Sequence, residues 1–243
     1  MRPWPTGLLA LVLALMVPVS GQQPITSNEV LTYGAEWRFV RAGEARLTIQ
    51  PAHTDLRLNT AGLVGQLYTV DDTYQVNYNA GHCASDSLMI AREGRRQRET
   101  RITFDAARRR TSYLEEDLLK DQTVLAKEIE TPPCVHDVLG AMQVLRSKPL
   151  QPGQSATFPL SDGKKFVNAR VECQEKEMIK TPLGNFPSVR YEAFVFDGVL
   201  FSRKGRAFFW LTDDEKKTPV QFRIQLPFYV GTVTLQLEKL ERQ

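Results

Sequence analysis

Histidine is scarce. His53, His82 and His136 are the three in a chain of 243 residues. A Ser-His-Asp or Cys-His site needs one of them, and none has a partner at a suggestive spacing. His53 sits in a turn-like Pro-Ala-His-Thr-Asp context, and His136 abuts a helix start where packing or a backbone hydrogen bond accounts for it. No G-x-S-x-G elbow occurs. The sequence thus names no catalytic residue, no metal site and no cofactor, and a non-enzyme is expected. After the first 21 residues no apolar run reaches the roughly 20 residues that span a bilayer, so an integral membrane protein is not expected. No repeat recurs at solenoid or propeller periods. No Gly/Ser-rich or Pro-rich stretch divides the chain, and residues 22–243 read as one domain. Charge of one sign is also lacking. With 31 Lys+Arg against 28 Asp+Glu, the net charge of +3 gives no case for a nucleic-acid partner.

What is present begins with the first 21 residues. Arg2 supplies a positive start, Leu8 to Val17 form an unbroken apolar core, and Pro18 ends it before Val19-Ser20-Gly21. That layout is a secretory signal peptide, so the chain is expected to be exported, to the periplasm or beyond. Thereafter the periodicity is mostly two. Apolar residues alternate in Tyr33–Phe39, at Leu47/Ile49, Leu56/Leu58 and Tyr74/Val76/Tyr78. They alternate again in 167–173, 189–195, 220–226 and 233–237. Alternation of this kind marks strands with one buried and one wet face. Turn signals at Asp162-Gly163, Leu183-Gly184-Asn185, Asp197-Gly198 and Thr212-Asp213-Asp214 separate them. One stretch differs: Val135, Val138, Leu139, Met142 and Leu145 recur at helical spacing behind Asp137, a plausible N-cap. Residues 106–120 leave a second short helix and a strand both open. The expected fold is mainly β, a curved antiparallel sheet or partly open barrel with one short central helix packed against it.

The three cysteines differ in context. Cys173 is in phase with Val167, Ala169 and Val171 and should face the core, where a free thiol behaves as a small hydrophobe. Cys83 and Cys134 lie at element ends, and in an exported protein they are expected to form a disulfide. His82-Cys83 and Cys134-x-His136 also hold the ligand types of a zinc site. However, residues adjacent in an extended chain point to opposite faces. Asp213-Asp214-Glu215 has the carboxylates for acid–base work, but a charged turn before Lys216-Lys217 explains it without chemistry. The arginines between Arg92 and Arg110 alternate with Ile102 and Phe104 as on a half-exposed strand, so a solvated face is the plainer reading.

Several segments, in order, carry a resemblance. They are Asp137-Val138-Leu139-Gly140-Ala141-Met142 through Arg146, Ser161-Asp162-Gly163-Lys164-Lys165-Phe166, Thr181-Pro182-Leu183-Gly184-Asn185-Phe186, and Trp210-Leu211-Thr212-Asp213-Asp214 with Thr218-Pro219-Val220. Together with Tyr33-Gly34-Ala35-Glu36-Trp37 they resemble the bacterial domain-of-unknown-function family 3108 over about residues 30–240. The resemblance implies an exported β-rich protein of Gram-negative bacteria with no established reaction. Asp137, Arg146, Trp210, Asp213 and Asp214 match its motifs without an assigned role. A helix start, a strand end and a turn would account for them. Two functional expectations remain. One is a binding module holding an apolar or lipid-like molecule in the curved sheet, supported by the aromatic density from Phe194 to Tyr229. The other is an interaction protein of the envelope, docking to another protein or to peptidoglycan through an edge strand or the arginine face.

Overall fold

Period-two alternation becomes one antiparallel sheet in the computed structural model, which describes residues 28–242. The signal peptide expected over residues 1–21 lies outside the described residues. The first half of the chain forms β1 (Glu29–Trp37), β2 (Val40–Gln50), β3 (His53–Thr60), β4 (Asp71–Asn79), β5 (Cys83–Glu93), β6 (Arg96–Asp105), β7 (Arg110–Asp117) and β8 (Gln122–Glu130). The second half forms β9 (Ser155–Ser161), β10 (Phe166–Thr181), β11 (Gly184–Phe194), β12 (Arg206–Thr212), β13 (Pro219–Gln225) and β14 (Thr232–Arg242). Helix α1 (Gly62–Leu67) joins β3 to β4, and α2 (Val138–Arg146) lies between β8 and β9.

Each half is a meander, and β1 pairs with β14 to join them into fourteen strands running from β8 to β1 and then from β14 to β9. Strand twist accumulated over so many strands curls a sheet. The sheet stays open, with β8 and β9 outermost. The chain between them doubles back along β9. The His136 N–H donates to the Pro159 carbonyl (2.8 Å), the Ser161 N–H donates to the His136 carbonyl (3.0 Å), and the Ala84 N–H donates to the Val135 carbonyl (2.9 Å). Residues 135 and 136 thus tie the start of β5 to β9.

Helix α2 starts at the expected cap. The Asp137 carboxylate accepts from the N–H groups of Leu139 (3.1 Å) and Gly140 (2.8 Å). Nine residues are too few for a helix to persist alone, so its buried face must carry it. Ala141 and Leu145 pack among Phe158, Val171, Tyr191 and Leu211, while Met142 joins Tyr33, Leu47 and Leu237. Burying Leu145 alone is worth about 2 kcal/mol. Val135, ahead of the helix, packs with Val76, Tyr78, Phe104 and Tyr113. Val138 has the expected spacing but remains half-exposed.

The structure decides one reading left open and changes two others. Of the helix and strand both open over residues 106–120, residues 110–117 are strand, paired to β6 and β8 along their length, where partner strands on both sides take up the backbone hydrogen-bonding groups. The alternation through Phe39 overruns its strand, because Arg38 and Phe39 form the hairpin turn with positive φ (49° and 68°). The aromatic density around β12 serves the core on both faces of the sheet. Phe209 stacks on Tyr191 at 5.4 Å, while Phe208 and Trp210 point the other way under Arg206 and Arg223. Short α1 was not signalled by any apolar periodicity.

Candidate functional site

The motif residues do not converge on one site. Asp137 is buried at the start of α2, where the Tyr74 hydroxyl also donates to it (3.1 Å). Burial pushes its pKa above the usual aspartate value in spite of those hydrogen bonds. Arg146 ends the same helix, where a cation complements the helix dipole. Its guanidinium meets a Glu29 carboxylate oxygen at 2.7 Å and donates to the Lys216 carbonyl (2.9 Å) and Gln143 Oε1 (3.0 Å). Glu29 is completed by Arg242 at 2.9 Å, which in turn donates to Thr218 Oγ1 (2.6 Å). Burial alone would raise the Glu29 pKa, but Arg146 and Arg242 together hold it below the ordinary glutamate value.

Asp214 belongs to this assembly indirectly. It accepts from Thr212 Oγ1 (2.7 Å) and from the N–H groups of Lys216 (3.1 Å) and Lys217 (3.0 Å), shaping the β12–β13 turn that offers the Lys216 carbonyl to Arg146. Its neighbour Asp213 pairs with Lys176 (2.8 Å) at the surface. Trp210 is buried in β12 and donates its indole N–H to Glu177 (2.7 Å). These contacts bind helix, strand and turn together.

Cys83 and Cys134 form a disulfide with Cα atoms 5.0 Å apart, and Cys173 is a buried free thiol. The bridge uses the two thiols that a zinc site with His82 and His136 would need. His136 instead meets the His82 carbonyl through Nδ1 at 2.7 Å. Part of the arginine run is paired with carboxylates, across strands or within a turn. Arg98 pairs with Asp117 and Arg101 with Glu116, each at 3.2 Å, and Arg108 with Asp105 at 2.7 Å.

A groove of about 380 Å³ opens at the seam between the outermost strands. Lys127 of β8 lines one side, and Asp162, Lys164 and Lys165 of the β9–β10 turn line another. The β11–β12 loop supplies Leu200, Phe201, Ser202 and Arg203. Leu200 is buried and Phe201 half-exposed, with Phe201 5.4 Å from Phe196. Asp162 is occupied by the turn itself, accepting from the N–H groups of Lys164 (2.9 Å) and Lys165 (3.0 Å). The groove therefore presents an apolar floor under a basic rim. Lys164 rests over the Tyr113 ring at 5.2 Å, and Lys165 donates to the Gly198 carbonyl (2.9 Å). The turn must carry Gly163. Its φ is +83°, and a Cβ there would stand 2.8 Å from Tyr113 and 2.9 Å from Ile102. The Ser161–Phe166 motif contains both lysines, although nothing in its pattern marks them as functional. Two adjacent lysines in a glycine turn were the available signal.

A curved, open antiparallel sheet with α2 packed against it defines a β-barrel-like fold class rather than a particular chemistry. Within that class, the chain belongs to the family described as "Protein of unknown function (DUF3108)", whose model matches residues 31–238. Among solved structures, the chain is similar to a β-barrel-like protein of domain-of-unknown-function family 1849 from Brucella abortus. The identity is 12% and the TM-score 0.59, over 90% of this chain and 98% of that one. A family-1089 protein from Pseudomonas aeruginosa matches at 12% identity and TM-score 0.40, over 79% of this chain and 92% of that one. No curated protein matches the chain. Among the described residues, no helix is long and apolar enough to cross a membrane.

Proposed function

We propose that the protein is an exported, non-catalytic binding module for a lipid-like molecule with an acidic head group. The seam groove is the observation that carries this reading. Its volume falls in the range of small-molecule sites. Leu200 and Phe201 suit an acyl chain, and Lys127, Lys164 and Arg203 suit a phosphate or carboxylate beside it. Helix α2 already fills space against both halves of the sheet, packing on Phe158 and Leu211 and on Tyr33 and Leu47, which favours the seam as the place for a ligand. Export is supported by the disulfide, a bond that persists in oxidising compartments.

Lysophosphatidylglycerol is a suitable probe, with lysophosphatidylcholine as its neutral-headed control. The protein should bind the first more tightly, and Lys164→Glu with Arg203→Glu should weaken that binding at least about tenfold, the scale of one lost charge-assisted contact. Failure of the unaltered protein to bind either probe rejects the reading.

A second reading, an envelope interaction protein, draws on β8. All but one of the residues of this outermost strand are exposed, Val124 and Leu125 among them. Such an edge is suited to strand addition by a partner. Photo-cross-linking from position 124 in living cells would trap a defined partner if the edge is used, and nothing reproducible if it is not.

A further inference from the structure

In an antiparallel meander, alternate connections lie at opposite ends of the sheet. One end gathers the β1–β2, β3–β4, β5–β6, β7–β8, β9–β10, β11–β12 and β13–β14 connections. Of the sixteen exposed large apolar side chains among the described residues, ten lie on these connections or at the first residue after one. Phe39 is 99% exposed and Phe228 98%. Soluble proteins carry single exposed apolar residues anywhere, and six of the sixteen lie elsewhere on this one, but a majority gathered at one end needs a reason.

We propose that this end docks on the surface of a lipid bilayer bearing anionic head groups. The choice of a bilayer over a protein partner comes from how the side chains are displayed. They stand on separate tips instead of forming one smooth patch: Phe39 on β1–β2, Leu63 and Leu67 on α1, Leu119 on β7–β8, and Phe228 on β13–β14. Aromatic and leucine side chains on separated loops, interleaved with cations, are the composition of an interfacial anchor. Charge agrees: basic side chains outnumber acidic ones seven to three in these connections. Anionic head groups attract such a rim.

Two local features have no explanation inside the molecule. Phe39 adopts φ +68° in a two-residue hairpin turn, a backbone that favours asparagine or glycine, and its side chain packs on nothing. Helix α1 is six residues long, buries none of them and has no side-chain cap. A bilayer would cover both. The tips are also rigidly joined. Arg38 donates to the carbonyls of Phe228 (3.0 Å) and Tyr229 (2.7 Å), and the Trp37 indole donates to the Val230 carbonyl (2.8 Å). The two aromatic tips thus enter as one unit. The turn and loop that line the seam groove belong to the same end, which sets its mouth at the lipid surface.

The test is co-sedimentation of the exported protein with vesicles of equal parts phosphatidylcholine and phosphatidylglycerol, against vesicles of phosphatidylcholine alone. The protein should bind the anionic vesicles more strongly. Phe39→Ser with Phe228→Ser should lower the partition coefficient about a hundredfold, roughly tenfold for each buried ring. Leu63→Ser with Leu67→Ser should weaken it as well, which covers the case in which the turn variant misfolds. Met178→Ser with Leu183→Ser, exposed residues away from this end, should change nothing. Absence of vesicle binding, or equal loss in the rim and the distal variants, overturns the proposal, as would a rim that captures only a protein. Rim variants that lose vesicles but keep lysophosphatidylglycerol separate this inference from the groove reading, and loss of the lysolipid alone would reject the groove while leaving the rim standing.

Discussion

Arg146 and Glu29 form an ion pair at 2.7 Å with side chains only 1% and 3% exposed, linking the last turn of α2 to the first residue of β1. They are 117 positions apart, the difference of their numbers. Arg242 approaches the other Glu29 oxygen, so β14 is held at the same point.

Breaking that pair leaves a charge buried without its partner. Glu29→Gln is expected to lower stability by about 3 kcal/mol or more, and Arg146→Met by a similar amount. The double variant should recover part of the loss, which a double-mutant cycle by urea unfolding measures directly. The pH dependence has a defined sign. The Glu29 pKa is held below its ordinary value of 4.5 in the folded state. Its contribution is thus fully present above that value and fades as pH falls through the lower, folded-state pKa. Glu29→Gln should flatten the acid limb of the stability profile; an unchanged acid limb would show that other carboxylates govern it.

Removing the disulfide has a different signature. Cys83 and Cys134 are separated by 51 positions, and closing a loop of that length restricts the unfolded chain by about 4 kcal/mol. Cys83→Ser and Cys134→Ser should each lose roughly this amount. Reductant should bring the unaltered protein down to the same level. Cys173→Ala, which only vacates a buried sulfur, should cost about 1 kcal/mol. Similar losses for all three, read by thermal unfolding, would contradict the assignment of distinct roles.

Asp137 should behave in the opposite sense to Glu29. Burial raises its pKa in the folded protein, so the stability associated with its protonated form is greatest at low pH and declines as pH rises through the folded-state value. Asp137→Asn keeps an acceptor for the N–H groups of Leu139 and Gly140 and should be near neutral at pH 7. Asp137→Ala should cost about 1–2 kcal/mol for the lost cap. Guanidinium unfolding of both variants distinguishes them, and equal losses would mean that the carboxylate charge itself is needed.

Much of the architecture was legible because it is local. Alternating residues such as Val167, Ala169 and Val171 mark a strand by themselves, and Asp137 followed by Leu139 and Met142 marks a capped helix. Turn signals such as Asp162-Gly163 and Asp197-Gly198 fall on hairpin connections. Cys83 and Cys134 were paired from compartment and context. The seam groove was not legible. Lys127, Lys164 and Arg203 come from three segments that meet only because the sheet curls until β8 approaches the β9–β10 turn. The partners of Arg146 were hidden for the same reason. Phe39 was read into a strand because period two continues through it, and only the pairing of Trp37 with Val40 fixes where the turn lies.

Sequence by itself determined the strand-rich class, the position and cap of α2, the inward direction of Cys173 and the family to which the chain belongs. Each of these depends on residues close together in the chain, where backbone sterics and burial of one face leave few alternatives. Tertiary structure alone decided the join of β1 to β14, the burial of Glu29 with Arg146, the groove at the seam and the gathering of Phe39 with Phe228 at one end. Those depend on register and curvature summed over fourteen strands, and small twists at each pairing add up to positions that no local pattern encodes.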